Sequence, residues 1–234
     1  MKEVGATPGR DGAGSAADTA DGPDSFRRLT GLANVSRETV ARLTRFVDLL
    51  RTWQKAQNLV AGGTLDAVWE RHLADSAQLA ALYPTTKVWL DLGTGGGFPG
   101  MVLAILAADH EGGLVHMVES NRRKCAFLRQ VLHATSAAGV VHEGRIEQCL
   151  PAIQDDVERI TARALAPLPK LLDLAYPILQ RGVPAAFLKG QDFVLETDES
   201  SKSWEFDLVI HRSRVDSAGV ILDLSNVRRK PSHG

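Results

Sequence analysis

Asp91-Leu92-Gly93-Thr94-Gly95-Gly96-Gly97-Phe98-Pro99-Gly100 is the stretch whose reading decides the fold. It starts at the carboxyl end of a short apolar run, Val88 to Leu92, and feeds a helix expected over Pro99 to Ala108. Glycines at this density let the backbone turn tightly and let a ligand lie against amide groups without interference from Cβ atoms, while the helix N-terminus supplies oriented N–H donors. The expectation is a cofactor cradle. Gly95 to Gly100 formally fits G-x-G-x-x-G, which alone is a weak signal for a dinucleotide. A P-loop is excluded, because Met101-Val102 follows Gly100 where a Lys and a Ser or Thr would be needed for the β and γ phosphates.

Downstream of the loop, short apolar runs alternate with helix-length segments. Leu114 to Val118, Val140 to His142 and Ala185 to Leu188 read as further buried parallel strands, with a weaker one at Arg159 to Ala162. Helices are expected over Arg122 to Ala137 and over Pro169 to Gln180, the latter kinked or ended by Pro177. Trp204 to His211 and Val220 to Leu224 suit two antiparallel strands at one edge, after a polar stretch. This order is an α/β doubly wound sheet with an antiparallel C-terminal edge, over residues 85–226. Upstream, Ser36 is an N-cap for an amphipathic helix carrying Val40, Leu43, Val47 and Leu50. A turn at Ala61-Gly62-Gly63 and more helix up to Pro84 complete a small helical N-terminal segment, 36–84. Residues 1–24, poor in large apolar side chains, read as a disordered tail, and 227–234 as a basic tail.

Composition sets the outer limits. The chain has 234 residues, 44% hydrophobic, and 27 Lys+Arg against 28 Asp+Glu give a formal charge of -1, so a polyanion partner must be met by a local basic patch. Cys125 and Cys149, the only cysteines, form no disulfide framework and no zinc pattern, and no metal site is expected. With no apolar run of membrane length and no apolar leader, the reading is a soluble cytoplasmic protein.

The glycine loop is led by an acid, giving Asp91-x-Gly93-x-Gly95-x-Gly97, which resembles motif I of class I methyltransferases that bind S-adenosylmethionine. A carboxylate there repels a pyrophosphate but suits a cofactor whose amino-acid moiety carries an ammonium group, directly or through water. Glu119, at the end of the second strand, stands where a carboxylate accepts ribose hydroxyls of either adenosine cofactor. S-adenosylmethionine is therefore the expected cofactor, and an NAD-dependent Rossmann oxidoreductase is the alternative.

Ordered blocks carry a more specific resemblance. They are Trp53-Gln54-Lys55-Ala56-Gln57-Asn58-Leu59, Arg71-His72-Leu73-Ala74-Asp75-Ser76, the loop with Phe98-Pro99-Gly100, Glu119-Ser120-Asn121-Arg122-Arg123-Lys124, Arg145-Ile146-Glu147, Ala162-Arg163-Ala164 and Leu188-Lys189-Gly190. On these, over about residues 36 to 224, the chain resembles the RsmG (GidB) family, bacterial enzymes that methylate N7 of the guanine at position 527 of 16S ribosomal RNA. It departs from the usual pattern at Gln54 and Val60. The resemblance implies a Rossmann-like class I fold, with S-adenosylmethionine contacts at Gly93, Phe98, Ile146, Glu147 and Arg163, which join Gly95 of the loop and Glu119 as the expected cofactor residues. Phe98 either covers the cofactor or packs beneath the loop. Arg163, at the end of the fourth strand, suits the methionine carboxylate, or else a surface ion pair. Asn58, His72, Asp75 and Lys189 are the candidates for the guanine or RNA side, the alternative for the first three being local capping or hydrogen bonding.

Guanine N7 carries a lone pair that needs no deprotonation, so no catalytic base is assigned and the expected mechanism is positioning. N7 faces the narrow major groove of A-form RNA, so the target must lie in a loop or be turned out of its stack. The implied partner is 16S rRNA or the small ribosomal subunit, met by a monomer. Candidate phosphate contacts are Arg37, Arg42, Arg45, Arg51 and Lys55, then Arg122, Arg123, Lys124 and Arg129, then Arg228, Arg229 and Lys230. A class I methyltransferase acting on another substrate, or a catalytically silent RNA-binding relative, are the other readings.

Overall fold

The computed structural model describes residues 22–30, 35–153 and 156–231. Seven strands form one sheet: β1 (Val88–Leu92), β2 (Leu114–Glu119), β3 (Gly139–Glu143), β4 (Arg159–Arg163), β5 (Ala185–Lys189), β6 (Trp204–Arg212) and β7 (Val220–Arg229). Their order is β3-β2-β1-β4-β5-β7-β6. The first five are parallel, and β7 runs antiparallel between β5 and β6. The chain therefore reverses its winding at β1, whose carboxyl end opens a crevice against β4. In open α/β sheets ligands bind at such a switch point.

Helices cover both faces: α1 (Pro23–Thr30), α2 (Arg37–Gln54), α3 (Asp75–Leu82), α4 (Gly100–Ala107), α5 (Arg122–Thr135), α6 (Ile146–Cys149), α7 (Leu168–Leu179) and α8 (Phe193–Ser201). Ser36 caps α2 by accepting from the Thr39 amide at 2.9 Å, and Asn121 caps α5 by accepting from the amides of Arg123 and Lys124. Strand alternation divides the core. Trp89 joins Met101 to Ile105 of α4 and Leu43, Phe46, Val47 and Leu50 of α2 on one face. Leu90 and Leu92 join Leu168, Leu171 and Leu172 of α7 on the other. Helix α4, Gly-Met-Val-Leu-Ala-Ile-Leu-Ala, is apolar all round because the sheet covers one side and the N-terminal helices the other. The N-terminal segment is thus the outer layer of this core.

Four features depart from the sequence reading. Helix α1 begins at Pro23, inside the stretch read as a tail, and buries Phe26 edge-on against Trp69 with ring centroids 6.0 Å apart. Residues 1–21 lie outside the described residues. A π-helical turn, Trp69–Ala74, precedes α3. The polar stretch after β5 forms α8, which shows no apolar stripe because Val194 and Leu195 face solvent. Strand β7 runs on to Arg229, which bonds Asp173 at 2.6 Å and stacks over Trp204, so residues 227–229 of the expected basic tail belong to the sheet, while 232–234 lie outside the described residues. Pro177 lies within α7 without ending it. Strand β6 is the outer edge and is interrupted by an irregularity between Glu205 and Asp207.

Phe26 is the test of whether α1 belongs to the fold. Phe26→Ala should lower the stability of the whole chain by about 3–5 kcal/mol, the usual cost of emptying a buried aromatic site. Urea unfolding followed by tryptophan fluorescence measures it, and an unchanged midpoint would detach α1 from the core.

Candidate active site

Alternation along β1 puts Asp91 on the same face as Trp89, beneath the first turn of α4. Its side chain is fully buried, and Oδ2 accepts from Thr94 Oγ1 at 2.6 Å and from the Gly100 amide at 2.8 Å. The carboxylate therefore pins both ends of the glycine loop. Gly100 has no alternative, since a Cβ there would lie 2.5 Å from Asp91 Oδ2. Burial pushes the Asp91 carboxyl up to about 7, against the opposing hydrogen bonds from Thr94 and Gly100. Asp91 does not itself line the crevice: it is fully buried under α4, and its Oδ1 has no hydrogen-bond partner.

Above the loop lies a cavity of about 1230 Å3. Gly93, Gly95, Phe98, Glu119, Ile146, Glu147 and Arg163 all line it, as do His72 and Asp75. Glu119 binds the Gly95 amide through Oε2 at 2.9 Å and the Asn121 amide through Oε1 at 2.7 Å. It is fixed against the loop, with lone pairs left over, since a carboxylate offers about four acceptor positions. Ile146 and Glu147 begin α6 just beyond β3, Ile146 nearly buried and Glu147 exposed.

The N-terminal segment supplies the opposite wall. Gln54 accepts from the amides of Leu59 and Val60 at 2.9 and 3.1 Å and donates to the Val60 carbonyl, folding residues 54–60 into a closed loop. Leu59 then rests on the glycine loop so closely that a Cβ at Gly96 would meet its carbonyl oxygen at 2.8 Å. Leu59, Val60, Ala61 and Thr64 line the cavity, whereas Asn58 is exposed and does not.

Arg163 joins the two walls. Its Nη1 lies 3.2 Å from both Asp75 Oδ2 and the Arg71 carbonyl, and its Nη2 donates to His72 Nδ1 at 2.7 Å. Because Arg163 can only donate, Nδ1 of His72 is the acceptor and Nε2 carries the proton. Nε2 then donates to Thr64 Oγ1 at 2.7 Å, and Thr64 donates to the Ala61 carbonyl. Burial, followed by the charges of Arg163 and Arg71, lowers His72 to about 3, so the imidazole is neutral. Its ring stacks on Phe98 with centroids 5.0 Å apart, and the Arg163 guanidinium lies 5.2 Å from the same ring. Phe98 also meets Phe46, with 4% exposure. It packs beneath the wall rather than covering the cavity. Arg163 pairs with Asp75, with both side chains largely buried rather than at the surface.

Lys189 is placed apart. Its ammonium reaches Glu196 Oε2 at 2.6 Å and the Ala166 carbonyl at 3.0 Å, in a groove of about 250 Å3 beside the main cavity. Its charge is neutralised by α8, the helix not foreseen from sequence. Sequence reasoning also missed Gln54, Thr64, Arg71, Arg145, Lys170 and the β6–β7 turn among the residues that shape the site. For Gln54 the signal was its place in the Trp53 to Leu59 block; for the turn there was none.

The glycine loop, the acid at the end of β2 and the switch-point crevice stand in one site, and comparison with known proteins assigns it a family. The model of the family described as rRNA small subunit methyltransferase G (GidB) matches residues 39–220. The chain belongs to this family. It is 46% identical over 216 residues to the ribosomal RNA small subunit methyltransferase G of Rhodopseudomonas palustris, covering 92% of this chain and 90% of that one. The Rhizobium rhizogenes protein of the same name is 49% identical over 198 residues, covering 84% of this chain and 96% of its own. Solved structures agree on the fold. An O-methyltransferase from Bacillus cereus in complex with SAH has a TM-score of 0.56 at 12% identity, over 87% of this chain and 97% of that one. The O-methyltransferase TomG from Streptomyces achromogenes, in complex with SAM, has 0.55 at 13%, over 88% and 96%. The class I methyltransferase architecture expected from the acid-led loop is thus the observed one in this methyltransferase G family member.

Asp91 makes the loop pH-sensitive. The folded protein holds its proton up to about pH 7 and the unfolded chain releases it near 3.8. Its contribution to stability is therefore complete below the unfolded value and lost as pH rises through the folded one. Unfolding midpoints measured from about pH 5 to about pH 8 should fall less steeply in Asp91→Asn than in the native chain. Parallel pH profiles would refute the assignment.

Proposed function

We propose that the protein transfers the methyl group of S-adenosylmethionine to N7 of a guanine, position 527, in 16S rRNA of the small ribosomal subunit. The single observation that carries this reading is membership of the methyltransferase G family together with a cavity whose floor is the acid-led glycine loop. The residues fit the cofactor. Gly93 and Gly95 leave the loop open to close approach, Glu119 is held with acceptor capacity for a ribose, and Ile146 and Glu147, which line the same cavity, would hold the adenine. When bound, S-adenosylmethionine supplies an electrophilic methyl group on a sulfonium.

The chain's own residues hold and orient. The Arg163–His72–Thr64 connection fixes the N-terminal wall relative to the loop, so two surfaces of the cavity are set before substrate arrives. Guanine N7 attacks with its lone pair, and no proton has to leave first. His72, neutral and engaged through both nitrogens, is a positioning residue in this scheme. Asp75 is likewise engaged, with Arg163 and Gln78, and burial raises its carboxyl above the ordinary range despite the Arg163 charge.

Support for an RNA partner comes from the distribution of cations. Cations away from the cavity divide: Arg42 is paired with Glu38 and Asp109, Arg129 with Glu143 and Arg229 with Asp173, whereas Arg37, Arg45, Arg51 and Lys55 have no ion pair among the described residues. Around its rim, Arg71, Lys124, Arg145 and Lys170 line the opening, and none has an ion pair with a carboxylate among the described residues. Unpaired cations framing a cleft suit phosphates. Of the three basic clusters in the sequence, only the one around Lys124 contributes here. No helix among the described residues is long and apolar enough to cross a membrane, and we assign the protein to the cytoplasm as a monomer.

S-adenosylhomocysteine should raise the melting temperature and NAD should not; the reverse would return the loop to a dinucleotide. Labelled methyl transfer to small subunits lacking the modification, with the labelled base mapped, tests the substrate. Replacing Lys124, Arg145 and Lys170 together by Gln should lower the slope of log binding constant against log salt by about 2 to 3, near one released counterion per lost phosphate contact. An unchanged slope would move the RNA off this rim.

A further inference from the structure

The turn between β6 and β7 hangs over the cavity in a fixed position. Ser213 Oγ accepts from the amides of Val215 and Asp216, each at 3.1 Å, and stands 3.3 Å from Asp75 Oδ1. Gln78 of α3 donates to the same hydroxyl at 3.1 Å and accepts from the Arg214 amide at 3.0 Å. Asp216 Oδ1 closes the turn by accepting from the Ala218 amide at 2.9 Å. A turn tied both to itself and to α3 is a rigid element. Val215, Asp216 and Ser217 consequently line the main cavity, and Asp216 also lines the smaller groove.

Most other charged groups at this junction are already engaged. Asp75 and Arg163 hold each other, Glu196 holds Lys189 and the Leu168 amide, and Glu119 is spread over two loop amides. Glu147 belongs to the α6 end of the cavity, and Asp192 lines only the smaller groove. Two carboxylates line both cavities: Asp75, which is paired with Arg163, and Asp216, which is exposed and bonded only within its own turn.

We propose that Asp216 determines base specificity by accepting hydrogen bonds from N1–H and the N2 amino group of the target guanine, with the purine lying where the two cavities meet. This rests on the guanine reading given above. An ionised carboxylate only accepts, and guanine alone among the RNA bases presents two adjacent N–H donors on its Watson–Crick edge. Adenine offers an acceptor at N1 and would face the carboxylate with a lone pair. A base turned out of its stack has that edge free for reading. N7 lies across the bicyclic ring, so a base held by N1 and N2 presents N7 away from Asp216.

The same contact strengthens during the reaction. The N7 lone pair forms the new bond to the methyl carbon as the carbon–sulfur bond breaks with its pair to sulfur, so positive charge passes to the purine and no proton moves. A cationic purine is a stronger N1–H donor, and an acceptor aimed at it favours the transition state over the ground state.

The test uses the full chain with small subunits lacking the modification, and with the same particles carrying inosine, which lacks the N2 amino group, at the target position. Asp216→Asn keeps an acceptor for Ala218 and replaces the other oxygen by a donor. Its kcat/KM on guanine should fall about 10- to 100-fold, the discrimination typical of a bidentate contact. S-adenosylhomocysteine affinity and melting temperature should be unchanged. Inosine should lower the native enzyme's kcat/KM by about tenfold and the variant's by less than about twofold, because the partner of the amino group is already gone. Native kcat/KM in the variant, an equal inosine penalty in both proteins, or loss of S-adenosylhomocysteine binding by the variant would each overturn the proposal while leaving guanine methylation standing. Failure of the native enzyme to methylate guanine N7 at all would instead remove the reading on which it rests.

Discussion

A buried carboxylate under a helix N-terminus is the constraint on which the site depends. Asp91 captures Thr94 and the first amide of α4 with one oxygen, so the glycine loop is drawn tight between its own ends. Such a group is costly to bury, and burial accordingly raises its affinity for a proton. The cost is offset by definition: with loop ends fixed, the Gly95 amide reaches Glu119 and the Gly96 backbone comes up against Leu59. Floor and wall of the cavity are thereby set by one side chain that never faces the cavity.

The second organising contact is Arg163. Its guanidinium leaves the end of β4 and reaches the N-terminal segment, where it meets a carboxylate, a carbonyl and an imidazole. The planar fork suits this, since several donors in fixed geometry serve acceptors on one helical turn. The helical segment before the sheet is therefore part of the site and not an appendage to it. Helix α4, buried between the two, transmits the same rigidity through packing.

The parallel strands and the switch-point loop were legible because buried strands, glycine turns and amphipathic helices leave local periodicities. Helices α1 and α8 were not, since each is short and one buries little: Val194 and Leu195 stay in solvent. The direction of Asp91 was available in principle, as Trp89-Leu90-Asp91-Leu92 alternates and places the acid with Trp89 on the α4 side. His72, Asp75 and Arg163 were each picked out, yet assigned to different ligands. Their contact joins positions about ninety residues apart and needs the finished sheet to exist. Asn58 and Lys189 differ for the same reason, one turned to solvent and one covered by α8.

Strand β6 leaves a nine-residue rim of backbone donors and acceptors without a neighbouring strand among the described residues. Exposed Val209 and Ile210 make that rim adhesive in principle. The offset at Glu205 and Asp207 breaks the straight template that another chain would need, and Asp207, bonded by Asn226, leaves a charge beside it. Local misregistry and a charge at the rim are the devices that disfavour growth of a sheet along such an edge, in a chain with almost no net charge.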